Sequence, residues 1–124
     1  MTLDESQKQP SISLEENLKK ALTELLVLHL LSQREYYISE LTATLYEKSG
    51  GVLTIVFPYS AVYRLQQSGC IIESEKRTAP DGRRRQYLRI TETGQSYLIQ
   101  LLKVYQTFSN GVAAVLAEGG KEHD

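Results

Sequence analysis

The 124-residue chain has no tryptophan, one cysteine, one methionine, three prolines and two histidines. The single Cys70 excludes an intramolecular disulfide. Without a CxxC pair or a His/Cys cluster, no zinc-ligand spacing exists, so neither a metal nor a cofactor is expected. Long hydrophobic runs are missing as well. The most apolar segment, "ALTELLVLHLL" (21–31), is interrupted by Thr23, Glu24 and His29 and is too short to span a bilayer. The opening "MTLDESQKQPSIS" is polar and partly acidic, unlike a secretory signal, so no membrane partner and a cytoplasmic location are the expectation. Catalytic vocabulary is equally sparse. His29 lies in an apolar stripe and His123 in the tail. No nucleophile motif, phosphate-cradling glycine loop or paired-carboxylate spacing stands out, and an enzyme is not expected.

What is present reads as one compact domain, since 41% hydrophobic and 23% charged residues are ordinary for a globular chain of this size. Residues 1–13 lack apolar periodicity and contain Pro10, which predicts a mobile N-terminal arm. Ser13 followed by Glu16 fits a capping box that opens a helix over 14–32. Leu18, Leu22, Leu25 and His29 make one stripe of it, and Leu26, Val27, Leu28, Leu30 and Leu31 fill most of the remaining circumference. A helix apolar nearly all round is buried on more than one side. In so small a domain the second side points to another chain.

A second helix is expected from about Ser39 to Lys48, with Ile38, Leu41 and Leu45 inward, stopped by "SGG" (49–51). "VLTIV" (52–56) reads as a very short strand or an extended link. Pro58 suits the first turn of a third helix, 58–68, with Val62 and Leu65 inward and Gly69 as its end. "CIIESEKRT" (70–78) and "RRQYLRI" (84–90) form a hairpin around "APDGR". Thr91 then caps a long helix over 92–118, with Glu92 in its positive first turn, and 119–124 is left as a tail. The fold class is therefore mainly α with a small β-hairpin (α+β). Three helices, a hairpin and a long helix make the winged helix-turn-helix order, with a DNA-binding domain over 14–91 and a C-terminal dimerisation helix over 92–118.

The charge is not spread evenly. Between Lys76 and Arg89 stand six basic residues against Asp81 alone, a net +5, which leaves −6 on the other 110 residues of a chain whose total is −1. Cations gathered on one hairpin behind three helices suit a polyphosphate partner.

Three segments carry a family resemblance: "ELLVLHLLSQREYYISEL" (24–41), "YSAVYRLQQSGCI" (59–71) and "DGRRRQYLRITETG" (81–94). From about Leu18 to Leu98 the sequence resembles the PadR family of bacterial transcriptional regulators. The segments match that family's opening helix and helix-turn, its recognition helix closing on a glycine, and its wing running into Thr-x-x-Gly. It departs at Tyr37-Ile38, where Gly-Tyr is common, at Leu88, where tyrosine is usual, and at Phe57-Pro58, which replaces a small polar entry. The resemblance implies a repressor released by a small-molecule effector. It also implies that Tyr59, near the start of the recognition helix, contacts DNA.

The candidate DNA contacts are Tyr59, Ser60, Tyr63 and Arg64 on the third helix and Arg83, Arg84 and Arg85 at the wing, with Lys76 and Arg77 behind them. The apolar stripe of the last helix continues through Leu101, Tyr105, Phe108, Val112, Val115 and Leu116 beyond what a small body can cover. Together with Leu22, Leu26 and His29 these residues predict a homodimer, and with it a palindromic double-stranded DNA site. Tyr105 and Phe108 are the natural walls of a pocket for a small hydrophobic or aromatic effector. Asn110-Gly111 is the place where the last helix is open to breaking. The rival reading is a winged-helix protein–protein adaptor, which needs no arginine cluster at a hairpin tip.

Overall fold

The computed structural model describes residues 10–122, with side-chain surroundings for 13–118. The elements are α1 (Pro10–Leu31), α2 (Ile38–Lys48), α3 (Pro58–Gln67), β1 (Ile71–Thr78), β2 (Arg84–Ile90) and α4 (Glu92–Glu122). The order is the expected one: helices with one antiparallel two-stranded hairpin and a long last helix.

The boundaries differ at both ends. α1 opens at Pro10 rather than after Ser13, so Ser13 lies inside the helix and is not its cap. Proline is suited to a first helical turn, where its missing N–H would have no partner. Residues 1–9 of the expected arm lie outside the described residues. α4 runs through Asn110-Gly111 without a break and on to Glu122, so most of the expected tail is helical and only His123 and Asp124 lie outside the description. At 1.5 Å per residue its 31 residues extend about 46 Å.

α1 is the central element. Leu25, Val27, Leu28, Leu30 and Leu31 are all buried, with Leu28 fully enclosed. Leu41 and Leu45 from α2, Val62 and Leu65 from α3, Ile71 and Leu88 from the hairpin and Leu98 from α4 complete the core. "VLTIV" is an extended link, not a strand: Ile55 is buried in the core, Leu53 packs half-buried against it, and no strand pairs with the segment.

The start of α4 is fastened to the end of α3. The Thr91 hydroxyl donates to the Gly69 carbonyl at 2.6 Å, and its oxygen accepts the Gly94 N–H at 3.0 Å, as an N-cap residue should. A β-carbon on Gly94 would run into the Cys70 carbonyl and the Ile90 side chain. Only glycine lets the helix pass this close to the strand. Gly69, at φ +78°, turns the chain from α3 into β1.

Candidate nucleic-acid interface

α3 buries Ala61, Val62 and Leu65, and this fixes what it shows to solvent. Tyr59 and Tyr63 are 71% and 61% exposed, and Ser60 and Arg64 are exposed beside them. A polar, aromatic helix face with no core to fill is available to a ligand. Together with the hairpin it walls a groove of about 790 Å³, lined by Tyr59, Ser60, Tyr63 and Arg64 on one side and Glu73, Gln86 and Leu88 on the other. Glu73 is the one carboxylate on that wall.

The hairpin tip is a tight turn. Gly82, at φ +84°, donates its N–H to the Ala79 carbonyl at 2.8 Å, with Pro80 and Asp81 between them. The Asp81 carboxylate accepts the Arg83 N–H at 3.0 Å and Nη2 of Arg85 at 2.7 Å. Those two bonds, led by the one from Arg85, hold the Asp81 carboxyl below its ordinary range.

The cations of the wing therefore divide into two sets. Lys76, Arg83, Arg84 and, at the far end of β2, Arg89 are exposed and make no ion pair among the described residues. Arg85 is tied to Asp81, lies 4.8 Å from the Tyr37 ring, and has a buried Nε without a partner. Arg77 stacks 3.5 Å over the Tyr87 ring, and its Nη1 donates to Glu35 at 3.0 Å and to Glu75 at 3.2 Å. Strand alternation explains the split between neighbours, since Arg84 and Arg85 must point to opposite faces. A bulge at Ser74-Glu75 shifts the register of β1 between Glu73 and Lys76.

The residues that anchor this wing carry no signal in the sequence. Glu35, in the turn between α1 and α2, accepts from both Ser74 and Arg77 at 3.0 Å. Its bond from Arg77 is the main reason its carboxyl is held below the usual value, against the opposing effect of burial. Next to it, Tyr36 is buried and its carbonyl accepts the Leu88 N–H at 2.8 Å, adding a third backbone to the hairpin edge. Tyr37 meets Tyr87 edge-on at 5.4 Å. Glu35 and Arg77 are 42 positions apart, and no local pattern pairs them.

The second predicted constellation lies on α1 and α4. A groove of about 470 Å³ runs between them, lined on α1 by Leu18, Leu22 and Leu25 and on α4 by Leu101, Tyr105, Phe108 and Val112. Phe108, Val115 and Leu116 are each about 70% exposed, at 71%, 69% and 68%, and Tyr105 and Val112 are exposed beside them. Leu22, Leu26 and Leu101 are half-buried. His29 is exposed, with its Nε2 3.4 Å from Nε2 of Gln33, so it is not a core residue and does not line the groove. No group of three or more metal-ligating side chains occurs among the described residues, and no described helix is long and apolar enough to cross a membrane.

Comparison with known proteins fits this architecture. Residues 27–100, more than half of the chain, match the family described as "Transcriptional regulator PadR-like family". A PadR-like transcriptional regulator from Bacillus cereus is 25% identical, with a TM-score of 0.65 over 77% of this chain and 91% of its own. A transcriptional regulator from Streptococcus, also 25% identical, superposes with a TM-score of 0.66 over 77% of this chain and 92% of its own. A PadR-family transcriptional regulator from Eggerthella lenta shares the fold at 23% identity, with a TM-score of 0.69 over 86% and 91% of the two chains. No curated protein sequence matches significantly. The wing anchor, the Thr91–Gly94 cap and the exposed third helix thus sit inside a matched segment that identifies the chain as a member of the PadR-like family of transcriptional regulators.

Proposed function

We propose that the protein is a homodimeric, sequence-specific DNA-binding repressor, with α3 entering a major groove and the wing lying on phosphates or in the adjoining minor groove. The observation that carries this reading is the groove between α3 and the hairpin. Its helical wall is made of exposed Tyr59, Ser60, Tyr63 and Arg64, and Lys76, Arg83 and Arg84 lie beyond it on the same hairpin. A helix that fills a major groove needs its outward face free of packing duties, and its flanking element needs unpaired cations.

The exposed apolar surface of α4 supports the dimer. A stripe from Tyr105 to Leu116 on a solvated helix is more apolar surface than a monomer ordinarily shows. Pairing α1 and α4 across a twofold axis covers it and sets two α3 helices about one DNA turn, ~34 Å, apart, which calls for a palindromic operator. Repression, relieved by a small hydrophobic or aromatic effector, is the regulatory sense that family membership favours. The α1–α4 groove beside Tyr105 and Phe108 is the apolar space available to such a molecule. Selection of bound sites from genomic DNA with the purified protein tests the central claim. A recurrent palindromic site supports it. Retention of no sequence above background overturns it and leaves the adaptor reading.

A further inference from the structure

One buried-edge carboxylate joins three helices behind the candidate interface. Glu24 of α1 accepts a hydrogen bond from Arg64 Nε of α3 at 3.4 Å on one oxygen, and from the Tyr97 hydroxyl of α4 at 3.1 Å on the other. The three side chains line a recess of about 400 Å³ with Ser68, Ser96 and Gln100. The Glu24 side chain is 28% exposed and that of Arg64 58% exposed, so the carboxylate is rooted in the protein while the guanidinium reaches out. The Tyr97 hydroxyl is protonated at neutral pH as any tyrosine is, and burial, followed by the nearby Glu24 charge, raises it further above its ordinary value.

The choice of nitrogen is informative. Arginine's planar guanidinium carries five N–H groups in a fixed fork, and the pairing of its two terminal nitrogens with guanine O6 and N7 is a common specific contact in DNA recognition. Here Glu24 takes Nε, while Nη1 and Nη2 make no hydrogen bond among the described residues. One long bond to Nε does not lock the charge away as a two-bond fork would. It gives the group a defined neighbour at Nε and leaves both terminal nitrogens without a partner among the described residues.

We propose that Glu24 is a positioning residue for base recognition: held by Tyr97, it orients Arg64 so that the terminal nitrogens of the guanidinium meet a guanine in each half-site. This rests on the DNA-binding reading above. It adds a dependence that reading does not require, because Glu24 itself touches no DNA. An oriented arginine discriminates among bases, whereas a free one follows the nearest phosphate.

The test uses the full-length protein and the operator recovered by selection, with each guanine replaced in turn by 7-deazaguanine, which lacks the N7 acceptor. Fluorescence anisotropy is read for the wild type, Glu24→Gln, Tyr97→Phe, Arg64→Ala and the Glu24→Gln/Arg64→Ala double variant. The wild type should lose about tenfold in affinity at one guanine per half-site, within the range of a lost base contact. Glu24→Gln should lose about as much on the intact operator, become insensitive to that replacement, and bind random DNA no more weakly than the wild type. In the Arg64→Ala background it should change nothing further. Tyr97→Phe keeps the ring and its packing, and it should move in the same direction by less, which keeps the test sound should Glu24→Gln fold poorly.

Retained sensitivity to that guanine in Glu24→Gln would overturn the proposal. An equal loss on operator and random DNA would do the same, as would a wild type and Arg64→Ala that respond alike to every guanine. If the wild type selects no site at all, the functional reading falls and this inference with it. If it selects a site and Glu24→Gln reads it unchanged, only the inference falls.

Discussion

The two sets of wing cations make a quantitative prediction about salt. Lys76, Arg83 and Arg84 are exposed and unpaired among the described residues, whereas Arg77 and Arg85 already hold the carboxylates of Glu35, Glu75 and Asp81. A free cation that neutralises a phosphate releases counterions and contributes ~0.9 to the slope of log K against log salt. Replacing Lys76, Arg83 and Arg84 by alanine should flatten that slope by up to ~2.7 per protomer, or ~5.4 for a dimer on both half-sites. Between ~50 and ~200 mM salt, a slope change of ~2.7 amounts to a factor of ~40 in affinity. The double variant Arg77→Ala/Arg85→Ala removes almost as much formal charge, yet it should change the slope little. Its effect belongs to stability, since it deprives Glu35 and Asp81 of their arginine partners and Tyr87 of its stacked guanidinium. Anisotropy titrations at four or five salt concentrations, with thermal melts of both variants, separate the two outcomes. Equal slope changes would show that the pairs open on DNA and that the division seen in the free protein has no bearing on binding. No slope change in the triple variant would return the wing to ordinary solvated surface.

Three further outcomes follow from packing and charge. Gly94→Ala should destabilise the fold by about 1–3 kcal/mol, the usual cost of overpacking, because the added carbon meets the Cys70 carbonyl, and a urea melt measures it. Glu35→Gln should cost at most about 1 kcal/mol at neutral pH, as a partly exposed ion pair. Because the folded carboxyl is held below its ordinary 4.5, that stabilisation is complete above this value and is lost as pH falls through the lower folded one, so the melts of variant and wild type should converge in acid. Truncation after Ser109 removes Val112, Val115 and Leu116 and should shift sedimentation at micromolar concentration towards monomer; a full-length protein that is already monomeric there would refute the dimer.

The fold was legible wherever one residue's local chemistry settles the matter. Pro58, Gly69, Gly82 and Thr91 each mark a turn or helix end by their own backbone preference, and all four sit at the positions that preference demands. The ends of α1 and α4 were less legible for the opposite reason. Ser13 and Glu16 have the residue types of a capping box, yet Pro10 begins the helix one turn earlier. Asn110-Gly111 weakens α4 by propensity without ending it; glycine in a helix interior costs only about 1 kcal/mol, which 31 residues of cooperative hydrogen bonding tolerate.

The candidate site divides along the same line. Exposure of Tyr59, Ser60, Tyr63 and Arg64 could be read from the helical period of α3, because Ala61, Val62 and Leu65 must face the core. The arginines of the wing could be counted but not sorted. Their sequence spacing says which strand face each takes, but not which carboxylates claim two of the six hairpin cations. Asp81 is only four residues from Arg85, yet it reaches it across the tip because Gly82 turns the chain back. Glu35 reaches Arg77 because Tyr36 docks on Leu88 and brings the α1–α2 turn against the wing. Glu24 is hidden in the same way: on the sequence it is one polar break in an apolar helix, and in the fold it is the common acceptor of α3 and α4. Net charge along a chain is therefore an upper bound on the charge available to a ligand. Here the hairpin's +5 includes Arg77 and Arg85, already in ion pairs, so recognition rests on fewer cations than the sequence displays.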